Sequence, residues 1–182
     1  MRFVFDERKA AHAAAYLLSL HDGRMSYIKL IKLMYLADRR AFLETGYPIT
    51  GAAMVSMPKG PVLSEVYDLI TWGEEAESPW SELISAPSNW EVGLKRKPDL
   101  KQLSEYEVEV LDAVFAEFGR WDRWALVRYT HDLPEWRDPG ESSFPIDARV
   151  ILREAGRSDE DIEDVAAQVE SIRSFRKLAA LV

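Results

Sequence analysis

The chain has no cysteine. That excludes a disulfide framework, a thiolate nucleophile and a thiolate metal site, and it fits a reducing compartment. Histidine is scarce as well, with His12, His21 and His131 the only imidazoles. His12 and His21 stand at opposite ends of one expected helix, too far apart to share a metal. No HEXXH or other tight cluster of ligands appears, so no metal and no cofactor are expected. Ser56 or Ser64 could be set with His131 on paper, but no serine sits in a G-x-S-x-G turn, and hydrolase chemistry is not expected. Long apolar runs are also missing. The greasiest segment, YIKLIKLMYLA, is interrupted by Lys29 and Lys32 and is too short to cross a bilayer. Asp6, Glu7, Arg8 and Lys9 occupy the place where a secretory signal needs an unbroken apolar stretch, so a soluble, cytoplasmic protein is expected. Nor is there a basic excess: 31 acids against 23 bases leave a formal charge of −8, which argues against sequence-independent attraction of the whole chain to nucleic acid.

What is present suffices for one core. A chain of 182 residues that is 47% hydrophobic can close a single domain, and no repeat, low-complexity tract or long linker divides it. Residues 6 to 21 are alanine-rich and helical. Ser26 is placed to cap a second helix that runs to about Glu44 and stops at Gly46 and Pro48. GAAMVSM, from Gly51, reads as a strand. Residues 61 to 72 return to helical spacing, with Gly73 as terminator. The stretch 80 to 97 carries two short β-like runs around Pro87-Ser88-Asn89, which suggests a hairpin. Ser104 and Glu107 form a capping box for a helix ending at Gly119, and Asp122 can cap a short helix through Thr130. Residues 145 to 155 and 158 to 180 complete a closing helical pair, with acids in the first turn and Arg173, Arg176 and Lys177 near the other end, as the helix dipole favours. The expected fold is α+β and mostly helical, a bundle carrying a small antiparallel sheet from residues near 51 to 57 and 80 to 97.

The segment PKGPVLSEVYDLI raises the question of a phosphate loop. Such a loop needs several glycines and a Lys-Ser or Lys-Thr pair, because repeated backbone N–H groups must approach the phosphates. PKGPV offers one glycine, and the proline after it has no N–H to give. The expectation is structural: Gly60 caps, Pro61 takes the first helical position, and the chain passes from strand into helix.

Four short motifs stand in order along the chain: K-L-x-Y-L-A-D from Lys32, P-I-T-G from Pro48, G-P-V-x-S-x-V-Y-D from Gly60 and T-H-x-x-P-E-W from Thr130. Together they resemble the Panacea antitoxin domain, also called the SocA-like domain, over roughly residues 10 to 170. The resemblance implies a module that neutralises a neighbouring toxin by direct binding; in one branch it is an adaptor that hands its toxin to the ClpXP protease. Many relatives carry an additional N-terminal DNA-binding domain. The resemblance leaves no space for one in these residues, so DNA-binding autoregulation is not expected.

Individual side chains, read apart from that resemblance, give further candidates. At helical spacing, Lys29, Lys32, Arg39, Arg40 and Glu44 share one face of the second helix, and Asp38 falls among the apolar residues of the other. A buried carboxylate needs a partner, and Arg128 or His131, on the short helix after Asp122, is expected to supply it as a polar lock between the two halves. Lys95, Arg96 and Lys97 form a basic hairpin tip that blunts a strand edge or meets an acidic partner or nucleic acid. Trp121, Trp124 and Trp136 flank turns, where rings can pack inward or anchor a partner. The expected function is a non-catalytic, antitoxin-like binding protein with a protein toxin as partner. The competing class is a phage- or mobile-element-borne nucleic-acid factor or enzyme that uses the basic tip.

Overall fold

The computed structural model describes residues 1–72 and 77–179. Within them the chain is mostly helical with short antiparallel strands, as expected. Gly73 and position 180 lie outside the described residues.

One helix organises the rest. Every residue of α2 (Tyr27–Thr45) between Ile28 and Asp38 is buried, because this stretch is apolar around nearly its whole circumference and cannot lie on a surface. The alanine-rich α1 (Glu7–Ser19) packs beside it, with Asp6 capping by accepting the Lys9 N–H. α5 (Glu105–Phe118) and α6 (Arg123–His131) cover other sides of α2. Both begin as their sequences dictate: Ser104 and Glu107 form a reciprocal capping box, and Asp122 accepts from the Trp124 and Ala125 N–H groups. The closing pair forms as α7 (Ala148–Glu154) and α8 (Asp159–Ala179).

The expected single sheet is instead two. β1 (Arg24–Ser26) pairs with β4 (Glu91–Gly93), Met25 opposite Val92. β2 (Met54–Ser56) sits between β3 (Val62–Leu63) and β5 (Phe144–Pro145). PKGP is therefore the turn of a small β2–β3 hairpin, closed by the Gly60 N–H on the Met57 carbonyl at 2.9 Å. Helix α3 (Ser64–Trp72) starts three residues later than Pro61, because Val62 and Leu63 first pair with β2. Residues expected to open a hairpin strand form helix α4 (Pro79–Leu83), with Ser78 and Ser81 capping each other and Pro79 in the first turn. Ser26 does precede α2, yet its side chain makes no capping bond.

The N-terminal segment folds over the P-I-T-G motif. Asp6 donates its N–H to the Thr50 carbonyl at 2.9 Å, Phe3 packs edge-on against Phe42 and Tyr47, and Arg176 of α8 reaches the Val4 carbonyl at 3.4 Å. Gly51, at φ +70°, lies so close that a Cβ would collide with that same carbonyl.

A tight turn does form near Pro87-Ser88-Asn89. Ser88 and Glu91 exchange backbone hydrogen bonds of 2.8 and 3.0 Å around Asn89 and Trp90, whose φ values are +51° and +66°. Both values belong to a type I′ turn, which favours Asn-Gly. A bulky residue is strained there, and the Trp90 ring is 64% exposed. Trp90→Gly is expected to be more stable than Trp90→Ala by about 1 kcal/mol, as measured by urea unfolding, since both variants lose the ring and only glycine relieves the backbone.

Candidate functional site

The four motifs converge on the buried stretch of α2. Lys32, which is 1% exposed, donates from Nζ to the Pro61 carbonyl at 2.7 Å. Gly60, at φ +89°, leaves the space this needs: a Cβ there would lie 2.7 Å from Thr130 Oγ1, 2.9 Å from Lys32 Nζ and 3.1 Å from His131 Cδ2. The His131 ring stacks on Trp136 with centroids 4.1 Å apart, and the Trp136 indole N–H donates to the Met57 carbonyl at 3.1 Å. Nε2 of His131 is buried with no partner among the described residues.

The expected lock of Asp38 with Arg128 or His131 does not form; a different pair, Arg39 and Glu135, joins the two halves. Asp38 is buried as anticipated, and its partner is Thr50: the Thr50 N–H donates to Oδ1 at 3.0 Å and the hydroxyl donates to Oδ2. Arg128 is exposed and His131 faces Trp136, so neither reaches Asp38. One residue further along α2, Arg39 joins Glu135 of the T-H-x-x-P-E-W motif, Nε to Oε1 at 2.6 Å and Nη2 to Oε2 at 3.2 Å. The Tyr35 hydroxyl donates to the same Oε1 at 2.8 Å. The Glu135 side chain has no exposed surface. Charged bonds of this bidentate kind, with the remaining lone pairs used, are what a buried carboxylate requires.

Lys29 and Lys32 do not form the polar face assigned to them. Lys29 is buried and donates to the Gly119 carbonyl at 2.7 Å, with His21 Nε2 at 2.9 Å. Their signal was available, since only Lys29, Lys32 and Asp38 interrupt an otherwise apolar run of eleven residues from Ile28 to Asp38. A helix greasy on all sides is interior, and so its lysines are too.

Burial moves the titration of these groups. It pulls the Lys32 ammonium down to about 7. It pushes Asp38 up to about 7, against the hydrogen bonds from Thr50 and Ile49 that favour the carboxylate. It also lowers His131, with the nearby Lys32 charge acting in the same direction.

The other candidates are spread around the molecule. Trp121 and Trp124 are 37% and 46% exposed, and Trp121 meets Phe118 and Tyr129 edge-on at 5.2 and 5.6 Å. Trp136 is occupied inside the junction. Lys95 donates to the Ser81 carbonyl and Arg96 pairs with Glu82 at 2.6 Å, which ties the basic run to α4, while Lys97 is exposed. No hydrogen bond, ion pair or ring contact joins this run to Trp121 or Trp124 among the described residues. No group of three or more His, Asp or Glu able to hold a metal is found among those residues either, and no helix there is long and apolar enough to cross a membrane.

These features define a helical α+β domain whose motif residues build its interior. A family model described as the SocA-like antitoxin, Panacea domain, matches residues 30–137, from the first turn of α2 through Trp136. That is more than half of the chain, and the protein belongs to this family. No curated protein and no solved structure matches it.

Two measurements check this assignment of the interior. Glu135→Ala strands the Arg39 charge and is expected to lose about 3 kcal/mol, whereas Arg128→Ala is expected to stay within about 0.5 kcal/mol of wild type, both by chemical denaturation. The second concerns pH. Above about 7 folded Lys32 has released its proton, while the unfolded lysine keeps one to near its ordinary value of 10.5. The unfolded state binds more protons in that window, so this residue makes stability rise with pH, by at most about 1.4 kcal/mol per pH unit. Lys32→Met is expected to lack that rise between pH 7 and pH 10.

Proposed function

We propose that this protein is the antitoxin of a type II toxin–antitoxin pair, neutralising a protein toxin by direct binding and delivering it to the ClpXP protease. The observation that supports the reading is the family match over α2 to Trp136, joined to the direction in which its motif residues point. Lys32, Asp38, Gly60, Thr130 and Glu135 are buried, so the motifs preserve a scaffold and leave the exterior to recognition. The reading is non-catalytic and places the protein in the cytoplasm, where both toxin and protease act. The basic run favours it over a nucleic-acid factor, because two of its three cations are already engaged on α4.

The adjacent open reading frame is expected to stop growth when expressed alone and to be harmless when co-expressed with this chain, the two proteins co-purifying. Toxin half-life should shorten when this chain is present and lengthen again in a host lacking ClpX. Growth of cells that express the neighbouring frame by itself would overturn the antitoxin reading. An unchanged half-life would remove the adaptor role alone.

A further inference from the structure

Beside the buried junction lies a cavity of about 220 Å³ between α2, the β2–β3 turn and α3. Its walls come from Tyr27, Ile28 and Ile31 of α2, from Met57 and Val62 of the hairpin, and from Tyr67 of α3. Its basic lining residues are the buried Lys32 and the exposed Lys59, and no carboxylate lines it among the described residues. Pro61 supplies the one acceptor for Lys32 Nζ found among those residues, so at least one N–H of this buried amine is unspent beside an apolar wall.

The rim carries two exposed indoles. Trp90 leans over Tyr27, with centroids 6.1 Å apart. Lys59 Nζ lies 6.0 Å from the Trp124 ring centroid, and the Arg123 guanidinium lies 5.2 Å from it. A hole of this size suits one large side chain, and aromatic and arginine residues around such a hole are the usual anchors of a protein interface. Trp90 adds an independent sign, since an exposed ring is kept at a backbone position that disfavours it, and retained strain of this kind gathers at functional sites. The sign of the partner follows from charge. In a chain of formal charge −8 this is a locally cationic mouth, which attracts carboxylates and repels a basic segment. Nucleic acid is the poorer fit, because the cations form no continuous track for a phosphate backbone.

We propose that this cavity is the anchor hole for one large apolar side chain on an extended acidic segment of the toxin, with Lys59 and Arg123 meeting the flanking carboxylates and Trp90 and Trp124 closing over the segment. This rests on the antitoxin reading above.

The test uses the purified full chain and the product of the adjacent toxic frame, first whole and then as overlapping short peptides. Met57→Trp fills the hole, Lys59→Glu reverses the rim charge at an exposed position, and Trp90→Gly removes an anchor while relieving backbone strain. Each is expected to weaken toxin binding at least tenfold with its thermal melt retained. Arg153→Ala on α7, which lines no part of the cavity, should bind as wild type does. The binding peptide is expected to hold a leucine or aromatic residue among aspartates and glutamates, and to lose at least tenfold in affinity when that residue becomes alanine. Unaltered toxin binding by Met57→Trp and Lys59→Glu would overturn the pocket and leave the antitoxin reading standing. Wild-type protein that neither binds the toxin nor protects cells would overturn both. Tight binding of a fluorescent oligothymidylate, abolished by Lys59→Glu, would assign the mouth to nucleic acid and overturn the peptide.

Discussion

A helix can be buried on all sides only if each charged group it carries inward finds a fixed partner, and α2 satisfies that condition four times. Lys29 is held by a carbonyl at the end of α5, Lys32 by the Pro61 carbonyl, Asp38 by Thr50 and Arg39 by Glu135. Each partner lies on a different segment of the chain. Solvating α2 is therefore the one requirement that the P-I-T-G loop, the β2–β3 hairpin, the α5–α6 connection and the chain after α6 all meet together. An unmet partner would leave a buried charge, which costs far more than any single surface contact in the molecule.

This explains what was legible in the sequence and what was not. Local signals reported reliably: the Ser104–Glu107 box and the Asp122 cap depend on residues two or three apart, and both form. The failure of PKGP as a phosphate cradle follows from donor count alone. Partner choice did not read out. That Asp38 must be paired follows from its apolar neighbours, but whether Thr50, Arg128 or His131 pairs with it depends on how P-I-T-G returns to α2, which no periodicity records. The lysines of α2 were misplaced by reading the helix as amphipathic when its composition makes it a core element. Helix α4 was hidden because Ser78-Pro79-Trp80-Ser81 mixes turn residues with a large aromatic, so the cap resembles a loop.

The interior and exterior divide the work between them. Most motif residues lie inward and specify one packing, while the exposed Trp90, Lys59, Trp121 and Trp124 stand outside or beside those motifs. Such a division lets these exposed positions change without disturbing the scaffold. A neighbour changed at Lys59 loses no buried bond, whereas a neighbour changed at Gly60 meets Thr130 and Lys32 at once.

The stitching of the first residues over the P-I-T-G loop ties distant parts of the chain to one strip of backbone. Asp6 and Val4 hold the loop that clasps Asp38, and Arg176 grips the same strip of backbone from the far end of the chain. A side chain at Gly51 would push against the strip that α8 also holds, so one substitution there would loosen the N-terminal residues, the loop and the last helix together.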